Sequence, residues 1–203
     1  MRFYAAHFSV YAAGRADVSF SDIASVAWAR ESILGLAARD VVREYGGGEF
    51  KPHGNVTRVE FVKMLVHAFD LPGPDAEPAG APAFSDVSPG DWFYAEVAAA
   101  VNLGIVAGYP DGTFGGNRPI TRQEMAVMAA RAVKAAGLAL PKVENPAVLR
   151  DFDQVAGYAK DAVLLLNQAG VLEGDASGMF RPGNFSTRAE AAKVLYKLWL
   201  LAE

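Results

Sequence analysis

Three arginines carry the sharpest chemical signal in this sequence. Arg58, Arg122 and Arg188 each sit between a threonine and a glutamate, in the runs Thr57-Arg58-x-Glu60, Thr121-Arg122-x-Glu124 and Thr187-Arg188-x-Glu190. The threonine and glutamate fit a helix capping box. The hydroxyl accepts from the third helical amide and the carboxylate reaches back to the cap amide. The arginine is not explained by the cap. At the first helical position it faces the positive end of the helix dipole, unfavourable by roughly 0.3–1 kcal/mol at an exposed site. The same mild penalty in three places calls for a compensating anion. An internal carboxylate (Asp22, Asp86 or Asp151) and an external acidic ligand, held by a guanidinium fork and free helix amides, serve equally well.

A second candidate is the loop Gly108-Tyr109-Pro110-Asp111-Gly112. Pro-Asp-Gly is turn chemistry and explains Pro110 and Gly112. Gly108 permits close backbone approach to a ligand. Tyr109 and Asp111 are suited to stacking on a sugar and hydrogen-bonding it. Farther along, Gly174 and Asp175 keep part of this pattern, whereas Glu44-Tyr45-Gly46-Gly47-Gly48 loses it. Trp28, Trp92 and Tyr158 recur at a regular offset, which favours structural anchors over sugar platforms; a tyrosine suits packing with a polar tip.

Other chemistry is poorly supported. The chain has no cysteine, which excludes disulfides, thiolate catalysis and cysteine zinc sites. His7, His53 and His67 lack metal-ligand spacing. No nucleophile elbow, phosphate loop, zinc-protease helix or EF-hand is present, and nothing singles out a carboxylate pair for glycoside hydrolysis. No cofactor or metal is expected. A formal charge of -4 argues against a nucleic-acid footprint and a polybasic membrane patch. No apolar run reaches the roughly 18 residues that span a bilayer. The first residues lack the charged start and clean apolar centre of a signal peptide, which leaves a cytosolic chain or a fragment whose signal lies elsewhere. At 52% hydrophobic, the chain has the material for a core.

What positions these residues is a repeat. An aromatic (Trp28, Trp92, Tyr158) is followed at one constant interval by Phe50, Phe114 or Phe180, and at a second constant interval by the motif arginine. The boundaries read as an N-terminal extension at 1–18, repeats at 19–71, 84–137 and 149–203, and linkers at 72–83 and 138–148. Partial alternation over 2–12 reads as a strand ending a preceding β domain.

After each aromatic, apolar residues recur at helical spacing: Ala29, Ile33, Leu36; Phe93, Val97, Ala100; Ala159, Val163, Leu166. Gly104 and Gly170 suit the left-handed position that ends such a helix, with Asp40 a poorer fit in the first copy. A very short strand or an extended turn, followed by a Gly-rich loop, is expected at Val41-Val42, Ile105-Val106 and Val171-Leu172. The second helix starts at each capping box and is apolar over most of its circumference, so it must be buried by its counterparts. The expected fold is mainly α. Three helix–loop–helix repeats with very short strands stand in a pseudo-three-fold arrangement around a central three-helix bundle, with grooves between the lobes.

These residues resemble the S-layer homology domains of bacterial cell-surface proteins, over about residues 19–201 and in three tandem copies. The resemblance is carried by FSDV…W, LGIVAGYPDGTF and ITRQE in copy two, with VTRVE and STRAE in the others. It implies an extracellular, non-catalytic module that anchors proteins non-covalently to the bacterial cell wall or S-layer. The implied partner is a secondary cell-wall polysaccharide, commonly bearing pyruvate ketals on N-acetylmannosamine. The implied contacts are Arg58, Arg122 and Arg188, each in a groove between adjacent repeats. Arg58 with Gly108, Tyr109 and Asp111 is the first choice of groove, and Arg122 with Gly174 and Asp175 the second. The rivals are a self-assembly module contacting other S-layer subunits without glycan, and, more weakly, a wall-active hydrolase.

Overall fold

The computed structural model describes residues 18–71 and 84–202. The strand read over 2–12 and the linker at 72–83 lie outside the described residues. Each repeat contributes two α-helices. The first helices are α1 (Arg30–Ala37), α3 (Tyr94–Asn102) and α5 (Lys160–Gln168). The second are α2 (Arg58–Ala68), α4 (Arg122–Ala135) and α6 (Arg188–Leu200).

The second helices are apolar on nearly all sides because they meet one another at the centre: α2, α4 and α6 all touch. Each first helix packs on the second helix of the preceding repeat. Thus α3 lies on α2, α5 on α4, and α1 closes the ring on α6. The residues expected to form the inner stripe of the first helices, including Ile33, Leu36, Val97, Ala100, Val163 and Leu166, are all buried. A single repeat therefore leaves its own core uncovered, and burial of the apolar surface requires the closed set of three.

The pseudo-three-fold axis is marked by a triangle of backbone hydrogen bonds just before the second helices. Val56 donates to Ser186 (3.0 Å), Ser186 to Ile120 (2.9 Å) and Ile120 to Val56 (3.0 Å). All three residues are fully buried. Val56 and Ile120 suit that place. Ser186 brings a hydroxyl that finds no hydrogen-bond partner among the described residues.

At the aliphatic pairs the turn forms and the very short strand does not. Among the described residues, β pairing is limited to isolated bridges of Asn55 with Thr187, Thr57 with Pro119, and Thr121 with Phe185. The aliphatic pairs belong instead to helix-ending motifs. The Ile105 amide donates to the Ala100 carbonyl (2.8 Å) and the Gly104 amide to Val101 (2.9 Å), with Gly104 left-handed at φ 68°. Asp40 adopts the same conformation, φ 61°, despite its side chain, and Val41 donates to Leu36 in the same way. The pairs bury as hydrophobic contacts closing these turns.

The loops are tied to the repeat starts by Asp22, Asp86 and Asp151. Each carboxylate accepts from two successive amides: Phe50 and Lys51, Phe114 and Gly115, Phe180 and Arg181. Burial disfavours the charge of Asp22, but these amides outweigh it and hold its carboxyl below the usual range. The loop phenylalanines are thereby fixed in the core. Phe50 meets Phe20 at 5.4 Å between ring centres, and Phe114 meets Phe84 at 5.6 Å.

Candidate functional site

All three capping boxes form. Thr57, Thr121 and Thr187 accept from the amides of Glu60, Glu124 and Glu190, whose carboxylates return to the threonine amides. Each glutamate keeps its other carboxylate oxygen turned toward the neighbouring repeat, where the motif arginine meets it. Arg58 pairs with Glu124 at 3.0 Å, Arg122 with Glu190 at 2.5 Å, and Arg188 with Glu60 at 3.7 Å. The pairs run head to tail around the axis and close into a ring. Each arginine Nε also donates to the carbonyl of a loop phenylalanine: Arg58 to Phe114, Arg122 to Phe180 and Arg188 to Phe50.

Of the two anions that the sequence left open, this geometry supplies the internal one, from a different carboxylate. The compensating anion is internal, and it is the neighbouring capping glutamate rather than Asp22, Asp86 or Asp151, which are occupied by loop amides. The arginine side chains are only 5%, 14% and 8% exposed, so they are neutralised beneath the surface. The helix amides are not free either. Arg58 and Val59 donate to the carbonyls of Arg118 and Gly116, and Arg188 and Ala189 to those of Gly54 and Pro52. No guest anion is needed to explain an arginine at the helix start.

The arginines nevertheless line three grooves, each built from all three repeats. The groove beside loop one has a volume of about 380 Å³ and holds Arg188, Tyr45, Glu60 and Trp92. The groove beside loop two, about 370 Å³, holds Arg58, Gly108, Tyr109, Glu124 and Tyr158. The groove beside loop three, about 740 Å³, holds Arg122, Gly174, Asp175, Glu190 and Trp28. In each, the arginine comes from the preceding repeat, the glutamate from the repeat's own cap, and an aromatic from the following repeat.

Those aromatics overturn the anchor reading. Trp28, Trp92 and Tyr158 are 54%, 63% and 63% exposed, so packing does not account for them. The core positions are the residues immediately after them, Ala29, Phe93 and Ala159. The aromatic stays outside as a groove wall, and lysines approach two of the rings: Lys63 lies 5.0 Å from Trp92 and Lys193 5.6 Å from Trp28.

The loop residues divide. Tyr109 stacks 4.6 Å from the Arg58 guanidinium and donates its hydroxyl to Glu124 at 2.7 Å. Burial and the Glu124 bond raise the Tyr109 pKa above its ordinary value. Burial opposes the charge of Glu124, but the Thr121, Tyr109 and Arg58 partners keep its carboxyl low. Asp111 turns away from the groove. It accepts from the Thr113 amide and hydroxyl and faces Arg118 at 3.8 Å. Asp175 lines its groove but is held by Arg181 and by the Ser177 and Met179 amides, which depress its pKa far below the usual range.

The glycines serve the chain itself. A Cβ on Gly108 would lie 2.4 Å from the Phe84 ring, and one on Gly174 would lie 2.6 Å from the Gly178 backbone. Close approach is therefore intramolecular at both.

Sequence reasoning passed over Tyr45, which stacks 4.4 Å from Arg188 and donates to Glu60. Tyr45 follows Trp28 at the same offset as Tyr109 follows Trp92, and that offset was the available signal. Also passed over were the basic side chains at two recurring places in the second helices: Lys63 and His67, Arg131, and Lys193 and Lys197.

The profile of the S-layer homology domain matches this chain three times, at residues 19–62, 83–126 and 149–192. The chain is 35% identical over 199 residues to an amylopullulanase of Thermoanaerobacterium thermosulfurigenes, covering 97% of this chain and 10% of that protein. It is 34% identical over 184 residues to an endoglucanase of Bacillus sp. (strain KSM-635), covering 90% and 19%. It is 30% identical over 190 residues to an S-layer protein of Bacillus thuringiensis subsp. finitimus, covering 93% and 22%. The chain thus spans between a tenth and about a fifth of the length of these relatives.

Proposed function

The chain belongs to the S-layer homology domain family, and from that membership we propose that it is a non-catalytic module. It anchors its parent protein non-covalently by binding an acidic, pyruvylated secondary cell-wall polysaccharide. Its place is the bacterial cell surface, at the wall or the S-layer. The observation that carries the binding reading is the recurrence, in all three grooves, of an exposed aromatic from one repeat beside an arginine–glutamate pair from the other two. An aromatic wall beside convergent polar groups is the composition of a sugar site. The flat face takes the apolar side of a pyranose and the polar groups fix its hydroxyls.

In this reading Arg58, Arg122 and Arg188 form groove floors. Their charge is spent on the glutamates, so they hold each groove in shape and present carboxylate and guanidinium edges as hydrogen-bond partners. Tyr109 supplies a wall in the groove of repeat two, and the Gly174–Asp175 turn supplies a rim in that of repeat three. Gly108 lets the repeat-two loop lie against Phe84. Asp111 shapes the turn behind Tyr109.

The test is co-sedimentation with purified cell wall. Binding is expected to intact wall and to be lost once the polysaccharide is extracted or its pyruvate removed. Undiminished binding to bare peptidoglycan contradicts the reading. Glycan-independent association detected by light scattering supports self-assembly instead.

A further inference from the structure

The three grooves share a plan but not a charge. At the rim of the repeat-one groove, Lys63 and His67 both face Glu96, at 3.5 and 3.7 Å. Beside the repeat-three groove, Lys193 and Lys197 both face Glu173, at 3.4 and 2.9 Å. These basic side chains have been given carboxylates by the fold. The repeat-two groove keeps one such cation, Arg131, at the helix position equivalent to His67 and Lys197. The places of Glu96 and Glu173 are taken there by Ala162 and Ala107. Arg131 is exposed, makes a hydrogen bond to the Ile105 carbonyl at 3.5 Å, and forms no ion pair among the described residues. Asp161 lines the adjoining cleft with it but is not paired to it.

With Arg58 neutralised by Glu124, the lining of this groove carries two guanidinium groups against one carboxylate. The repeat-one lining holds three Lys or Arg side chains against four carboxylates, and the repeat-three lining three against three. Val127 and Met128 line the same groove as Arg131 and give it an apolar wall. The exposed face of Tyr158 lines the same cavity.

We infer that the repeat-two groove is the one that takes a sugar bearing a single carboxylate, and that Arg131 is the residue that selects the charge. The carboxylate accepts from the Arg131 fork while the ring lies against Tyr158. This deepens the polysaccharide reading above and rests on it.

The probes are the methyl glycoside of pyruvate-ketal N-acetylmannosamine and its neutral methyl ester, titrated into the labelled chain and followed by NMR. The acid is expected to shift signals of Tyr109, Val127 and Tyr158. Arg131→Gln should weaken it by about 10-fold or more while leaving the ester unchanged, and Arg131→Lys should restore part of the affinity. Acid binding by the unaltered chain at another groove, or an affinity for Arg131→Gln within about 2-fold of the original, overturns the inference and leaves the polysaccharide reading standing. No binding of either probe to the unaltered chain overturns both. Arg131 is exposed, so a thermal melt of each variant verifies the fold independently.

Discussion

The guanidinium of Arg58 lies 3.0 Å from the carboxylate of Glu124, and the two belong to consecutive repeats. Glu124 uses one oxygen to cap its own helix and the other to hold the preceding repeat. The helix cap and the joint between repeats are therefore one device, used three times around a closed ring. This explains why the motif keeps an arginine where the helix dipole disfavours it. The cost is local, and the compensation arrives from the next repeat along.

Replacing Arg58 should consequently damage the fold. Arg58→Ala leaves Glu124 half-paired and the Phe114 and Ala107 carbonyls without their donor. A loss of roughly 3 kcal/mol is expected, in the range for breaking a buried ion pair. A thermal melt checks this. Unchanged melting would return the arginine to the role of a free ligand contact, which the sequence alone had allowed.

Acid should loosen the same joint. The pKa of Glu124 in the folded chain lies below its ordinary value of 4.5. Its contribution to stability is complete above that value and is lost as pH falls through the lowered folded pKa. Asp22 and Glu173 are shifted the same way. Chemical denaturation between pH 6 and about 3 should show falling stability. Glu124→Gln should lower stability at neutral pH and flatten that decline, and an equally steep acid limb in this variant would assign the loss elsewhere.

The axis offers a stabilising change. Ser186 buries a hydroxyl that has no hydrogen-bond partner among the described residues, where the other repeats bury Val56 and Ile120. Ser186→Ala should add about 1 kcal/mol by removing an unsatisfied group, seen as a rise in melting temperature. A fall would mean that the hydroxyl is satisfied within the folded chain.

Most of the scaffold was legible from residue spacing. The capping boxes, the stripe at Ile33 and Leu36, and the glycine stops at Gly104 and Gly170 are local features, written within a short stretch of chain. What the sequence hid was partnership across repeats. Arg58 and Glu124 are 66 residues apart, and Arg188 and Phe50 are 138 apart. Spacing cannot show that the ring closes one repeat onto the next. The same blind spot hid the tryptophans. Regular recurrence fits a buried anchor and a repeated surface wall equally, and only the direction of the side chain separates Trp92 from its buried neighbour Phe93. The turn chemistry of Pro110 and Gly112 was readable, but the displacement of Asp111 toward Arg118 depends on a contact that the loop motif does not specify.

The exposed aromatic walls are the surface that a glycan in these grooves must touch. The decisive measurement is co-sedimentation of the Trp28→Ala, Trp92→Ala, Tyr158→Ala triple variant with polysaccharide-bearing cell wall, alongside its thermal melt. The expected result is an almost unchanged melting temperature with wall binding reduced to the level seen on extracted wall. Full binding by this variant, with the same dependence on polysaccharide, would contradict the assignment of the grooves as the binding surface.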